Sequence, residues 1–374
     1  MPGLSLDQLR RVLRLHRALR LRRRDDRGAV AVLVTILLAS GVLLGMGALV
    51  IDVGNLYAER GQLQSGADAA AFKVAQDCAL DSSACTPGNA AADAAGYANA
   101  NASDGVSGVS VVCGRGGSLN SCPAPAAGLV DCVNPAPGTG NYVEVRTQTQ
   151  QSDGTTVLPP AFAQSLVSGY SGSTVQACAR AAWGPPASAR LSITQSICEW
   201  NGYTNNGASF PNPAVDRVIR LRGSSGVGTC QPGGGPTIPE GYSWLRDTSG
   251  TCRTPVSVGG SYRIRTNNSP SSACRSLLNA LRDSGEPVLM PIYDQVTGSG
   301  SGTRFRIMGI AAFVVTGWNL PGFVSSSTLT GTDYCDTAAL RGTCIYGYYT
   351  QTLVPGTATI GGPELGANVV ALIG

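Results

Sequence analysis

Residues Ala29 to Ile51 read AVAVLVTILLASGVLLGMGALVI, 23 residues without a charge. As one helix such a run measures about 35 Å, enough to cross a bilayer. A cleaved secretory signal is the alternative, but its apolar core is typically about 7–15 residues long and ends in a small-residue cleavage site. The greater length favours a retained, single-pass membrane helix over 29–51.

The flanks orient it. Nine Arg and three Asp precede Ala29, whereas Asp52, Glu59, Arg60, Asp68 and Lys73 follow Ile51. The positive-inside rule then places the Arg-rich residues 1–28 in the cytoplasm and 52–374 outside the cell membrane. All twelve Cys fall in the part read as external, an even number in an oxidising space, which implies up to six disulfides. Cys78 with Cys85 and Cys335 with Cys344 are the short-range candidates.

Beyond the span, Leu49, Leu56, Leu63 and Ala70 recur at seven-residue steps, with Val53, Ala67 and Val74 between them. Span and continuation are expected to form one helix of about 48 residues. An Ala-rich helix is expected near Asn89–Asn101. Val106–Val112, Tyr142–Thr149 and Thr174–Trp183 have strand patterns, and Phe162–Val167 a helical turn or two. This makes 52–186 a small extracytoplasmic α+β domain, ending at Gly184-Pro185-Pro186. Residues 187–374 read as a mainly β, disulfide-stapled domain, with strands at Arg217–Arg222, Ser261–Thr266, Val288–Val296 and Phe305–Thr316, and a bulge at Gly309. The expected fold class is therefore α+β: a membrane-spanning helix running into a small pilin-like α+β domain, then a mostly β domain.

Gly and Pro supply 71 of the 374 residues, while 43% are apolar and 13% charged. That composition describes a loop-rich chain too hydrophobic to be disordered. Ten acids against five bases give 52–186 a net charge of −5; thirteen Arg against ten acids give 187–374 +3. A net of +3 over so long a segment is a solvated face rather than a nucleic-acid footprint, so no nucleic acid is expected as a partner.

The chemistry is defined by what is missing. His16, the only histidine, precedes the span, which excludes Ser-His-Asp and Cys-His catalysis from the bulk of the chain. No C-x-x-C occurs, which removes thioredoxin-like redox chemistry and the commonest zinc spacings. The clusters Gly226–Gly228 and Gly298–Gly302 open no evident helix and read as turns. Glu199 with Asp216, or Asp283 with Glu286, could form a glycosidase-like pair, but surface acids explain them equally. Neither a cofactor nor a metal site is expected.

Arg27–Val32 (RGAVAV), the apolar run, Asp52–Tyr57 (DVGNLY) and Arg60–Ala71 (RGQLQSGADAAA) together resemble the N-terminal region of the TadE/TadG-like family of tight-adherence, Flp-type pilus assembly. The resemblance covers about 50 residues and rests on Asp52, Gly54, Tyr57, Ala67, Asp68 and Ala69. It implies a non-enzymatic component of pilus assembly or surface attachment. Its partners would be the lipid bilayer and other pilus-assembly membrane proteins, met through the N-terminal helix. Gly28-Ala29 matches the processing position of related pseudopilins, but Leu33 stands where they carry Glu, which favours an uncleaved chain. Gly41 and Gly45 form a G-x-x-x-G that would let membrane helices pack closely, and the same spacing is equally ordinary membrane-helix composition. Some larger family members carry a von Willebrand A-like metal site; Asp247-Thr-Ser249-Gly-Thr251 approximates it but follows no clear apolar strand. The alternative to an assembly role is an adhesin or a binder of an anionic cell-envelope polymer that shares only the anchor.

Overall fold

Gly41 adopts a left-handed backbone, φ +74°, and the apolar run divides there. The computed structural model describes residues 28–374 apart from 40, 125–131, 133, 166, 225, 267–268, 336–342 and 356–357. His16 and the Arg-rich stretch thus lie outside the described residues. Residues 28–39 are helical, and helix α1 begins anew at Val42 and runs 39 residues to Leu80. Glycine takes a positive φ at no steric cost, so a helix that passes it can break there. Among the described residues no helix is long and apolar enough to cross a membrane. This corrects the expected membrane-spanning helix, and with it the single rod of about 48 residues. Gly41 lies just outside α1 and Gly45 in its first turn, and Gly45 N donates to Gly41 O at 2.7 Å.

The chain divides into two compact units: residues 1–62 with Thr149–Val175, and Leu63–Gln148 with Gln176–Gly374. In the first, the loop 149–175 is closed at its base by Thr149 N donating to Val175 O at 2.9 Å and by the antiparallel bridge Leu158–Ser173.

Among its described residues the second unit holds two large sheets and two two-stranded ones. Helix α2, Pro87–Ala100, starts at Thr86, whose side chain accepts from the Asn89 amide at 3.3 Å with Pro87 in the first turn. The Cys78–Cys85 disulfide staples the turn that precedes it. Ala90, Ala94 and Ala98 line its buried stripe, and a Cβ on Gly66 would meet Ala98 Cα at 3.2 Å, so the close approach of the two helices requires glycine there. Ala67, Ala70, Ala71, Val74 and Ala75 share a core with Val143, Val145, Ala179, Ala181 and Trp183. These last come from strands β2 (Asn141–Gln148) and β3 (Gln176–Gly184), which follow β1 (Gly108–Arg115) in an antiparallel sheet. The sheet continues beyond Gly184: the C-terminal strand Ala367–Leu372 pairs antiparallel with β3.

The other large sheet contains β4 (Ile193–Ser196), β5 (Arg217–Arg220), β6 (Tyr242–Trp244), β7 (Val288–Thr297), β8 (Arg304–Leu320) and β9 (Cys344–Thr350), in the order β5-β9-β8-β7-β4-β6. A Leu221–Tyr242 bridge, with Arg222 N donating to Tyr242 O at 2.9 Å, joins its two ends and closes it into a small barrel. Tyr242, Trp244, Tyr293, Phe305, Phe313 and Tyr349 fill the core. The expected bulge occurs: Ile292 pairs with Gly309 and Tyr293 with Ile307, which leaves Met308 unpaired. Helices α3 (Ile197–Thr204) and α4 (Ser272–Ser284) were not expected. Six disulfides pair all twelve Cys, among them Cys78–Cys85 and Cys335–Cys344, and none crosses the Gly184–Pro186 segment.

Candidate assembly surface and its buried acid

Asp52 lies within α1 and is 8% exposed. Its Oδ1 accepts from the amides of Ala161 at 2.6 Å and Phe162 at 3.2 Å, and its Oδ2 from Phe162 at 3.2 Å and Ala163 at 2.5 Å. Three consecutive N–H groups thus converge on one carboxylate at the start of the 3-10 turn Ala163–Ser165. Such a concavity of backbone amides is electropositive, and a hydrogen bond to an ionised acceptor is about twice as strong as a neutral one. Pro159 and Pro160 precede the turn and fix φ along its approach. The site seats the 149–175 loop on the helix.

The other motif residues divide by role. Tyr57 is 71% exposed and Gly54 has open space around it. Gly28 is exposed at the start of the helical residues and Ala29 follows it. Ala67 is fully buried in the core and Ala69 partly so. Asp68 accepts from Gln64 Nε2 at 3.0 Å, the same nitrogen lying 3.1 Å from Cys178 O. Burial pushes the Asp68 carboxyl above its ordinary value, against the pull of that hydrogen bond. The A-D-A-A-A pattern is therefore a packing surface of small side chains, whereas the D-x-G-x-x-Y pattern combines a loop clamp with an exposed aromatic.

Apolar side chains also remain uncovered along residues 30–53. Val30, Leu33, Ile36, Met46, Leu49 and Val50 each expose between 59% and 71% of their surface. Large apolar side chains left exposed in such number within one short stretch suit contact with another molecule or phase.

Among the described residues, Glu199, Asp216 and Asp283 each engage other partners. Glu199, 5% exposed, is paired with Arg217 at 2.7 Å and accepts from the Gly241 amide at 3.0 Å. Burial raises its pKa, opposed by Arg217. Asp216 instead accepts from the Thr316 hydroxyl at 2.6 Å and the Ser327 hydroxyl at 2.5 Å. Asp283 pairs with Arg282, while Glu286 is exposed. Asp247 closes a turn by accepting from Ser249 N at 2.9 Å and Cys252 N at 2.6 Å. Glu144 was missed by sequence reading: buried in β2, it accepts from Arg146 Nε at 2.7 Å and Arg180 Nε at 2.6 Å, and Arg146 reaches on to Pro123 O at 2.8 Å. Cys113, Cys122, Cys132 and Cys178 lie close to this acid, but all four are disulfide-bonded.

Residues 28–77 match the family model described as "Putative Flp pilus-assembly TadE/G-like". The matched segment includes the whole uncovered apolar stretch, Asp52 and the alanine packing surface. No curated protein and no solved structure matches the chain.

Proposed function

We infer that the chain is a non-enzymatic, envelope-associated component of Flp-type pilus assembly, and that it joins its partners through the uncovered apolar surface of residues 28–53. The observation that carries this reading is the coincidence of that surface with the matched segment. Within it, an exposed helical face of Val, Leu, Ile and Met side chains can interdigitate with similar helices, and Tyr57 extends the face by one aromatic ring. The Asp52 clamp holds the 149–175 loop at the polar end of this stretch, which fixes where the docking surface stops. Six disulfides support an oxidising, extracytoplasmic setting for the body of the chain, where such bonds form and persist. The engagement of Glu199, Asp216, Asp247 and Glu144 in ion pairs, turns and buried clusters supports a structural role for these acids over hydrolysis.

Deletion of the gene in the native host, followed by counting of surface pili, tests the reading. Pili should be lost and restored by the wild-type chain, but not by a chain with Met46→Asp and Val50→Asp. Undiminished piliation in the deletion strain would refute it.

A further inference from the structure

At one mouth of the barrel, Leu221, Arg222, Ser243, Arg265 and the turn Gly298–Thr303 enclose an open cavity of about 590 Å3. Among the described residues no carboxylate lines it. The ion pairs found among the described residues use Lys73, Arg146, Arg180, Arg217, Arg282 and Arg306, so neither Arg222 nor Arg265 is neutralised by one. The Arg222 guanidinium lies 5.3 Å from the centre of the Phe305 ring, and its buried Nε has no hydrogen-bond partner among the described residues. A desolvated, unpaired guanidinium donor is costly unless an acceptor reaches it.

The turn GSGSG, Gly298–Gly302, also lines the cavity. Gly298 has φ +74°, and a Cβ on it would come within 2.7 Å of Gly302 O, so the turn stays bare of side chains there. An oxygen-rich group can therefore approach the backbone, with the Ser299 and Ser301 hydroxyls at hand. Two guanidiniums facing hydroxyl-bearing, glycine-rich backbone suit a tetrahedral oxyanion, because the planar fork of Arg matches two oxygens at once. The volume exceeds what a bare phosphate needs and falls within the range of small-molecule sites.

We propose that this barrel mouth binds a phosphoryl group carried on a small polyol, of the size of glycerol phosphate. The ligand could come from a free compound or from a lipid headgroup, which share this chemistry. The site is independent of the assembly reading, which rests on residues 28–77.

The test uses the full chain with its disulfides intact and isothermal titration calorimetry at physiological salt. Glycerol 3-phosphate should bind saturably at one site per chain, inorganic phosphate more weakly, and glycerol not at all. Arg265→Ala should weaken binding at least tenfold, and Arg222→Lys likewise, with thermal midpoints unchanged for Arg265→Ala. Arg253→Ala, an exposed arginine outside the cavity, should bind as wild type. Flotation with phosphatidylglycerol vesicles against phosphatidylcholine vesicles then assigns the source: Arg265-dependent flotation points to a headgroup, and its absence alongside calorimetric binding to a free compound. No saturable heat, equal binding by Arg265→Ala, or an equal loss in Arg253→Ala would each overturn the proposal.

Discussion

Both carboxylate oxygens of Asp52 lie 3.2 Å from the amide nitrogen of Phe162, with the amides of Ala161 and Ala163 taking one oxygen each at 2.6 and 2.5 Å. A symmetric acceptor facing three donors tolerates no donor in its place. Asp52→Asn would turn an NH2 toward an N–H and should cost about 1–3 kcal/mol. Hydrogen exchange at residues 161–163 should accelerate in the variant, while exchange in β2 and β3 stays as in wild type. Unchanged protection at 161–163 would mean that the loop is held by something else.

Glu144 is the acceptor for two arginines in the first sheet, Arg146 buried and Arg180 partly so. Glu144→Ala leaves two guanidiniums without their counter-charge and should destabilise the chain by about 3–5 kcal/mol. Chemical denaturation with intact disulfides checks this. A loss below about 1 kcal/mol, the size of a surface pair, would show that the cluster is solvated.

Gly66 faces the Ala98 backbone at the crossing of α1 and α2. Gly66→Val forces the helices apart and should cost about 1–3 kcal/mol as overpacking. Gly61→Val in the same helix, with open space around Gly61, should cost less, and a thermal melt of both variants makes the comparison.

Glu199 has a folded pKa raised by burial above the ordinary 4.5. The folded chain therefore holds its proton more tightly than the unfolded one, and between the ordinary and the raised value stability falls as pH rises. Glu199→Gln keeps an acceptor for Gly241 and removes that titration. The stability of the variant relative to wild type should accordingly increase with pH through that window, by at most about 1.4 kcal/mol per unit for one proton. A difference independent of pH would place the titration elsewhere.

Local pattern made some elements legible and left others hidden. Alternation exposed β1 to β3, and uninterrupted apolar character exposed β7 and β8, because both follow from residue spacing along one strand. The short spacing of Cys78–Cys85 and Cys335–Cys344 similarly limits where each partner can lie. The break at Gly41 was not legible: an uncharged run reads as one helix whether or not its glycine turns left-handed, since φ leaves no mark in composition. Helix α4 carried a signal that the glycine- and serine-rich surroundings obscured, namely Ser271 as cap and Cys274, Leu277, Leu278 and Leu281 at helical spacing. Asp52 was identified by resemblance alone, and its partners lie about a hundred residues downstream, beyond any local pattern. The burial of Glu144 and Arg146 leaves no mark in the alternating pattern of Tyr142–Thr149, because β2 is buried on both faces. Barrel closure through Leu221 and Tyr242, which brings Arg222 toward Arg265, likewise depends on pairing between distant strands.

Site-specific photo-crosslinking in the native host addresses the docking surface most directly, with a benzophenone side chain placed at Val50 and, as a control, at Val324, both exposed. The Val50 probe should capture a pilus-assembly protein, identified by mass spectrometry, and the Val324 probe should not. Identical crosslinks from both positions, or none from Val50 in piliated cells, would contradict docking through residues 28–53.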